Sequence, residues 1–282
     1  MILSFHPNIV ADENILCAGR LPDEKDEAII RKAEAIILPQ GCSEDLYGMC
    51  RKHCLHIFPN YDVRFDFPRK LGQARLFQEI RAPFPVTYLF DSVYSFRFDY
   101  PRSSPLEFPY VFKSDWGGEG DEVFLLETNN SLERCLKRAK DMERGGRKGF
   151  LLQEYVPTGG RNLRVVVIGG RLYSYWRFQQ NSSQFLTNVK AGGVIDYSFA
   201  PELQAKGRTM VEGFCSKTGI NLAGFDLLFP NDEKDSSPFF LEINYFFGRR
   251  GLGGSFRYYE FVEKAVSEWL EGIGLSLTSG TD

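Results

Sequence analysis

Leu241-Glu242-Ile243-Asn244 forms, with Gly224-Phe225-Asp226, the most informative pair of segments in the sequence. Residues two apart in a strand project from the same face, roughly 6 to 7 Å apart, so Glu242 and Asn244 can direct two oxygen donors to one point. Asp226 joins them if a hairpin register sets it opposite either residue. Such oxygen donors suit Mg²⁺, which also binds substrate phosphates. The alternative is the solvated face of a half-exposed sheet.

A glycine-rich loop lies between two predicted strands, 108–113 and 123–126. Gly117, Gly118 and Gly120 let the backbone approach an anion, and Lys113 adds a positive charge at the end of the first strand. The loop is not a Walker loop, because no Gly-Lys-Ser/Thr ends it and a strand follows it. It predicts a flap over phosphates, and a plain hairpin turn would use the same glycines.

Several cations occur in the same half of the chain. They are Arg164 and Arg177 on a predicted hairpin around Gly169-Gly170, Lys190 two residues after Asn188, and Arg249 and Arg250 beyond the acidic strand. Each alone would be an ordinary surface cation. Together with the acidic strands and the glycine flap, they predict a phosphate-binding site.

The composition excludes several classes of protein. The chain has 282 residues, 43% of them hydrophobic, which rules out disorder as the dominant state. A formal net charge of -3 removes the long-range attraction of a general nucleic-acid binder. No apolar run approaches the ~20 residues of a membrane span and no signal-like start is present, so we expect a cytoplasmic protein without a membrane or nucleic-acid partner.

The six cysteines do not form a disulfide framework and are expected to be free thiols. Cys50, His53, Cys54 and His56 form the one cluster with metal-ligand chemistry, and Cys42 precedes it. The spacing between Cys50 and Cys54 is one helical turn, unlike the knuckle of a structural zinc site. Small core cysteines on an amphipathic helix are the favoured interpretation.

The chain divides into three predicted lobes, 1–66, 67–148 and 149–282. The first alternates strand and helix signals, which indicates a small α/β layer with parallel strands. The second contains the glycine flap and a helix for which Ser131 is the expected N-cap. The third is rich in strands and carries the acidic residues.

The order of these pieces resembles the ATP-grasp superfamily, most closely the RimK-type glutamate ligases that modify ribosomal protein, and more loosely glutathione synthetase. The resemblance covers roughly residues 67 to 254. It implies a mixed α+β and α/β architecture, with an ATP-grasp fold preceded by an amino-terminal α/β lobe. The cofactors it implies are ATP and Mg²⁺, with Mn²⁺ as the alternative ion.

The resemblance also implies roles for particular residues. The nucleotide would be bound by Lys70, Lys113, Gly117, Gly118, Glu119, Gly120, Gln153, Glu154, Tyr155, Val156 and Asn162, with Glu154 to Val156 as the hinge that reads adenine. Asp226, Glu242 and Asn244 would bind the metal. Arg164, Arg177, Asn188 and Lys190 would stabilise the reacting phosphoryl oxygens, and Arg249 and Arg250 would bind substrate.

Two positions depart from the family pattern. Leu186-Thr-Asn188 stands where the family has Arg-Ser-Asn, so one phosphate-stabilising arginine is absent unless Lys190 or Arg177 replaces it. The segment Tyr245-Phe-Phe-Gly-Arg-Arg250 replaces the usual Ser-Ser-Pro-Gly on the acceptor side. This puts glutamate and ribosomal protein in doubt as substrates and leaves the nucleotide interpretation intact.

The expected activity is ATP-dependent ligation of a carboxylate to an amine through an acylphosphate, with small-molecule or peptide substrates. Two alternatives stay open. One is a kinase that phosphorylates a hydroxyl with the same fold, and the other is a nucleotide-binding protein without turnover, for which Leu186 is an argument.

Overall fold

Three β-sheets follow one another in the computed structural model, which describes residues 1–17, 19–118, 122–179, 193–230 and 237–277. The first sheet is parallel, and its strands run in the order β2-β1-β3-β4. Its elements are β1 Ile2–Ser4, β2 Glu13–Asn14, α1 Glu24–Ile30, β3 Ala35–Ile37, α2 Glu44–His53, β4 His56–Phe58 and α3 Asp62–Asp66. The small parallel α/β layer expected from the sequence is confirmed.

The second sheet is antiparallel, in the order β5-β8-β6-β7. Its elements are β5 Thr87–Phe90, α5 Val93–Asp99, β6 Tyr110–Ser114, β7 Val123–Leu126, α6 Asn129–Arg144 and β8 Phe150–Glu154. The sheet therefore includes a strand beyond the expected lobe boundary at residue 148. The expected cap of α6 is wrong: Thr128 is the N-cap, and Ser131 is the third helical residue, whose hydroxyl completes a reciprocal capping box.

The third sheet is also antiparallel and runs in the order β11-β10-β9-β12-β13. Its elements are β9 Arg161–Ile168, β10 Arg171–Phe178, β11 Val194–Asp196, α7 Pro201–Thr218, β12 Leu222–Leu228, β13 Phe239–Asn244, a 3-10 turn at Arg250–Leu252, and α8 Ser255–Gly272. Pairing of Arg171 with Ile168 confirms the predicted two-residue hairpin, and Gly169 adopts the positive φ of 61° that such a turn needs.

The alternation of residues along β9 divides the third sheet into two different faces. Leu163, Val165 and Val167 point into the main apolar core together with residues of α7 and of the first lobe. On the opposite face, α8 covers Val166 and Ile168. The other end of that face is polar, and it is here that the candidate site lies.

Helix α4, Arg69–Glu79, packs between the second and third sheets. Its Leu71 and Ala74 contact Leu151 of the second sheet. One turn later, the ring of Phe77 stacks on Phe240 of β13 with 5.5 Å between ring centroids. The helix therefore joins the two sheets that carry the predicted nucleotide and metal residues. Among the described residues, no helix is both long and apolar enough to cross a membrane.

Candidate active site

The polar end of the third sheet brings acidic and basic side chains of four strands together. Asp226 on β12 pairs in register with Glu242 on β13 and with Arg164 on β9. Asn244 pairs with Gly224, where a Cβ atom would lie 2.8 Å from Nη1 of Arg164. The missing side chain of Gly224 thus leaves room for the arginine. Of the two partners that the sequence allows for Asp226, the structure has Glu242.

Asp226 is the centre of a buried ion cluster. Its Oδ1 accepts hydrogen bonds from Nε of Arg164 at 2.5 Å and from Nη2 of Arg177 at 2.6 Å. Its Oδ2 accepts from Nη2 of Arg164 at 2.9 Å and from Nδ2 of Asn244 at 3.2 Å. Burial opposes ionisation, but the two guanidinium groups outweigh it and lower the pKa of Asp226. Arg177 also donates through Nε to Oδ1 of Asn162 at 2.9 Å.

Glu242 differs from Asp226 because it has no direct hydrogen-bond or ion-pair partner among the described residues. Burial raises the pKa of Glu242, and the negative charge of Asp226 raises it further. The positive charges of Lys113 and Lys70 oppose this rise in the pKa of Glu242. Glu242 therefore offers a carboxylate that is free to take a ligand.

This donor set fits a divalent cation that shares its coordination with a nucleotide. Glu242 supplies a free carboxylate, and Asn244 retains its carbonyl oxygen because its Nδ2 donates to Asp226. Within the described ranges, no group of three or more His, Cys, Asp or Glu side chains could hold a metal ion. Such a sparse set matches Mg²⁺, which keeps waters and takes phosphate oxygens.

Lys113 faces this acidic strand from the second sheet and is held in place by a chain of hydrogen bonds. Its Nζ donates to Oε1 of the buried Gln153 at 2.7 Å, and Nε2 of Gln153 donates to Oγ1 of Thr87 at 2.8 Å. Burial, helped by the charge of Lys70, lowers the pKa of Lys113 to about 8. The sequence predicts that Gln153 binds nucleotide, and it does not reveal this contact with Lys113.

Lys70 connects helix α4 to the glycine flap. Its Nζ donates to the carbonyl oxygen of Gly117 at 2.9 Å. Gly117 has a φ of 98°, a conformation that favours glycine, and both it and Gly118 are exposed. Glu119 and Gly120, the other flap residues expected to bind nucleotide, lie outside the described residues.

The expected hinge follows the second sheet at the end of β8. The backbone N–H of Glu154 donates to the carbonyl oxygen of Val86 at 2.8 Å, and its side chain accepts from the N–H of Val86 at 3.3 Å. Tyr155 and Val156 are half-exposed. Their role toward adenine stays a prediction.

Arg249 is held by aromatic side chains of α8. Its guanidinium lies 4.5 Å from the ring centroid of Tyr258 and 4.6 Å from that of Tyr259, and Nη1 donates to the Tyr259 hydroxyl at 2.9 Å. His6 of the first lobe packs edge-on against Tyr259, and burial, together with the charge of Arg249, lowers the pKa of His6 to about 4. Arg250 is exposed.

Two other groups of predicted residues remain. Asn188 and Lys190, with Leu186 before them, lie outside the described residues. Within the part of the chain that the structure describes, the cysteine and histidine side chains of the first lobe form no group that could hold a metal ion. Cys50 is buried in the main core, and the His53 ring contacts Oε1 of Glu27 at 2.6 Å. All six cysteines are free thiols.

Gln73 makes a contact that the sequence did not reveal. Its side-chain amide bonds to both backbone groups of Ile243, with Nε2 donating to the carbonyl oxygen at 2.7 Å and Oε1 accepting from the N–H at 2.9 Å. The only signal in the sequence is its position three residues after Lys70, one helical turn away.

The comparisons with known proteins agree on one family. A family model described as the RimK-like ATP-grasp domain matches residues 93–255. Similar proteins include "Beta-citrylglutamate synthase B" of Danio rerio, 29% identical over 160 residues, or 55% of this chain and 38% of the relative. Another is "Probable alpha-L-glutamate ligase" of Marinomonas sp. (strain MWYL1), 30% identical over 146 residues, or 51% of this chain and 44% of the relative. The chain thus covers less than half the length of these two relatives.

Solved structures share the fold at low sequence identity. A RimK domain protein ATP-grasp from Sphaerobacter thermophilus superimposes with a TM-score of 0.62 at 15% identity, covering 94% of this chain and 98% of that chain. D-alanyl-alanine synthetase A from Vibrio cholerae gives a TM-score of 0.58 at 12% identity, covering 84% and 76%.

Stability measurements should separate the two acidic residues. Asp226→Ala leaves Arg164 and Arg177 buried without a carboxylate, so we expect a loss of about 3 to 5 kcal/mol in the free energy of unfolding. Glu242→Gln removes a charge that burial disfavours, so it should stay within about 1 kcal/mol of the wild type. Urea unfolding at neutral pH measures both. Equal destabilisation by the two substitutions would contradict this arrangement.

Binding of ATP should depend on pH through Lys113. Its lysine charge is lost as the pH rises through about 8, so the affinity for ATP should fall above that pH, approaching about tenfold per pH unit. Lys113→Arg keeps its charge and should show a flatter profile over the same range. Titration calorimetry from about pH 7 to about pH 9.5 tests this. A wild-type affinity that is constant over the range would refute the role of Lys113.

Proposed function

Because the chain belongs to the RimK-like ATP-grasp family, we propose that it joins a carboxylate to an amine in a reaction driven by ATP. Its fold is the ATP-grasp fold expected from the sequence. The observation that carries the proposal is the polar end of the third sheet, where Glu242 has no direct partner among the described residues and lies opposite Asp226, which pairs with Arg164 and Arg177. We place the nucleotide in a cleft between this end of the third sheet and the second sheet, with Lys113 on one wall and the metal-type donors on the other.

The charge of the cleft suits a triphosphate. Four cations, Lys70, Lys113, Arg164 and Arg177, interact there with two carboxylates, Asp226 and Glu242, an excess of two positive charges. The negative charge of a bound nucleotide would offset this excess. The flap backbone at Gly117, Gly118, Glu119 and Gly120 would contribute N–H donors to the phosphates.

The remaining nucleotide contacts follow from the same placement. Glu154 ends β8, the strand beside that of Lys113, and Tyr155 and Val156 follow it; the backbone of these three residues would bind the adenine edge. Gln153 would contribute by holding Lys113 beside the phosphates. Asn162 would lie near the ribose.

Asp226, Glu242 and Asn244 would hold Mg²⁺ or Mn²⁺, which, when bound, offsets charge on the transferring phosphoryl group. Glu242 is the principal protein ligand in this proposal, because its carboxylate is free. Both carboxylate oxygens of Asp226 accept hydrogen bonds from arginines, so its main contribution is to keep those guanidinium groups in place. It would bind the cation only through an oxygen that also accepts from an arginine.

The reaction has two steps. A carboxylate oxygen of the first substrate attacks the γ-phosphorus of ATP, and the bond to ADP breaks. The amine nitrogen of the second substrate then attacks the acyl carbon, phosphate leaves with the former carboxylate oxygen, and the nitrogen loses a proton. Arg164 and Arg177, with Asn188 and Lys190, would stabilise the phosphoryl oxygens. No side chain of the protein forms a covalent bond in this scheme.

Arg249 is the best-placed residue for a carboxylate of the substrate. The loop that carries it folds against the polar face: Gly251 packs on the ring of Tyr175, which is the register partner of Arg164. No carboxylate of the described residues pairs with Arg249, whereas Arg164 and Arg177 are both paired. A planar guanidinium fixed in this way binds a carboxylate through two hydrogen bonds. Exposed Arg250 would assist from the rim.

The substrate class follows from this charge and from the relatives. The two curated relatives carry glutamate in their names, so an anionic amino acid such as glutamate is the first substrate to test, as carboxylate or as amine. The partners proposed are small molecules or peptides, with no nucleic acid or membrane. We place the reaction in the cytoplasm, where the free thiols would persist.

Activity is tested by release of ADP from MgATP with pairs of amino acids, dicarboxylates and small peptides, followed by mass measurement of the product. We expect ADP formation that requires both substrates, and an amide product lighter by one water than their sum. Glu242→Gln should lose at least about 100-fold in rate while remaining folded.

Other outcomes of the same assay identify the alternatives. A stable phosphorylated product without an amide would identify a kinase. Tight binding of MgATP with no turnover over the whole panel would identify a nucleotide-binding protein without catalysis, and either result would overturn the proposal.

A further inference from the structure

The outer edge of β13 is occupied by a side chain instead of a strand. β13 is the last strand of the third sheet, and β12 is its neighbour in that sheet. At its other edge, the amide of Gln73 exchanges two hydrogen bonds with Ile243, at 2.7 and 2.9 Å. A primary amide that donates to a carbonyl and accepts from an N–H of the same residue reproduces the pairing of an antiparallel strand.

The residue that Gln73 binds lies between the two metal-type side chains. Ile243 points into the apolar core and is 2% exposed. Glu242 and Asn244, on either side of it, therefore point to the opposite, polar face. The Gln73 amide bonds to both peptide groups that join Ile243 to Glu242 and to Asn244. This contact therefore restrains the direction in which the oxygen donors of Glu242 and Asn244 point.

Helix α4 is itself anchored on both sides of the cleft. Oδ1 of Asp115, at the base of the flap, accepts from the N–H of Leu71 at 2.8 Å, and Lys70 bonds to Gly117 of the flap. On the other side, Phe77 stacks on Phe240 near the start of β13. Contacts made by other residues of α4 therefore fix the position of Gln73 relative to Ile243.

We infer that Gln73 is a positioning residue for the metal ligands Glu242 and Asn244, an inference that rests on the proposed function of this site. Gln73 does not touch the nucleotide or the metal. It acts by holding the backbone between the two ligands, so its loss weakens metal binding more than nucleotide binding. A glutamate at this position would fail to donate to Ile243 and would add a charge near Glu242.

The key variant is Gln73→Met, which keeps the length and the packing of the side chain and removes both hydrogen bonds. Gln78→Ala is the matched control, because Gln78 is on the same helix and exposed. Binding of Mn²⁺ is measured by electron paramagnetic resonance in the presence of ADP, and binding of ADP without metal is measured by calorimetry. Turnover is recorded separately.

We expect Gln73→Met to weaken Mn²⁺ binding by about 10-fold or more, the effect typical of residues that orient metal ligands. Its affinity for metal-free ADP should stay within about twofold of the wild type, and Gln78→Ala should match the wild type in both measurements. In turnover, the Mg²⁺ concentration for half-maximal rate should rise by a similar factor.

Wild-type Mn²⁺ affinity in Gln73→Met would overturn the inference, and so would an equal loss of Mn²⁺ and ADP binding in that variant. A wild-type protein that binds no Mn²⁺ would also overturn it, because there would be no metal site to position. A wild-type protein that binds Mn²⁺ and ADP but forms no amide contradicts the proposed ligase activity alone, and the Gln73→Met measurement still decides the inference.

Discussion

The buried pairing of Asp226 with Arg164 and Arg177 is the interaction on which the rest of the site depends. The carboxylate of Asp226 accepts hydrogen bonds from two guanidinium groups and one amide, which are on three other strands of the same sheet. Removing one partner of such a buried pair strongly destabilises the protein, because the other charge stays buried without compensation. This pairing therefore fixes where two cations lie at the polar end of the third sheet, and it leaves Glu242 without a direct partner among the residues that the structure describes.

Residues distant in the chain meet around helix α4, which lies between the second and third sheets. The helix packs on Leu151 of the second sheet with one face and on Phe240 of the third with another. Its polar residues bind the flap through Lys70 and the acidic strand through Gln73. The lysines and the metal-type donors thus belong to elements that share one helix, which suits a reaction in which positioning and charge neutralisation contribute most of the acceleration.

Features that depend on local patterns were predictable from the sequence. The alternation of residues in β12 and β13 predicted that Asp226, Glu242 and Asn244 could share one face, and Gly169-Gly170 located the hairpin that carries Arg164 and Arg177. Contacts between distant segments were not predictable, because single-sequence patterns carry no information on pairing partners. The inclusion of Phe150–Glu154 in the second sheet is one such case. The bonds of Gln153 to Lys113 and of Gln73 to Ile243, and the stacking of Arg249 on tyrosines, are others.

The central claim is that a carboxylate is activated by phosphorylation in this cleft, and an isotope measurement tests it most directly. The carboxylate substrate is labelled with ¹⁸O in both oxygens, and the phosphate released during turnover is examined by mass spectrometry. The account predicts one ¹⁸O atom in each phosphate and one in the amide product, because the acyl carbon gives one oxygen to the phosphoryl group. Release of unlabelled phosphate, with both ¹⁸O atoms retained in the carboxylate, would contradict it.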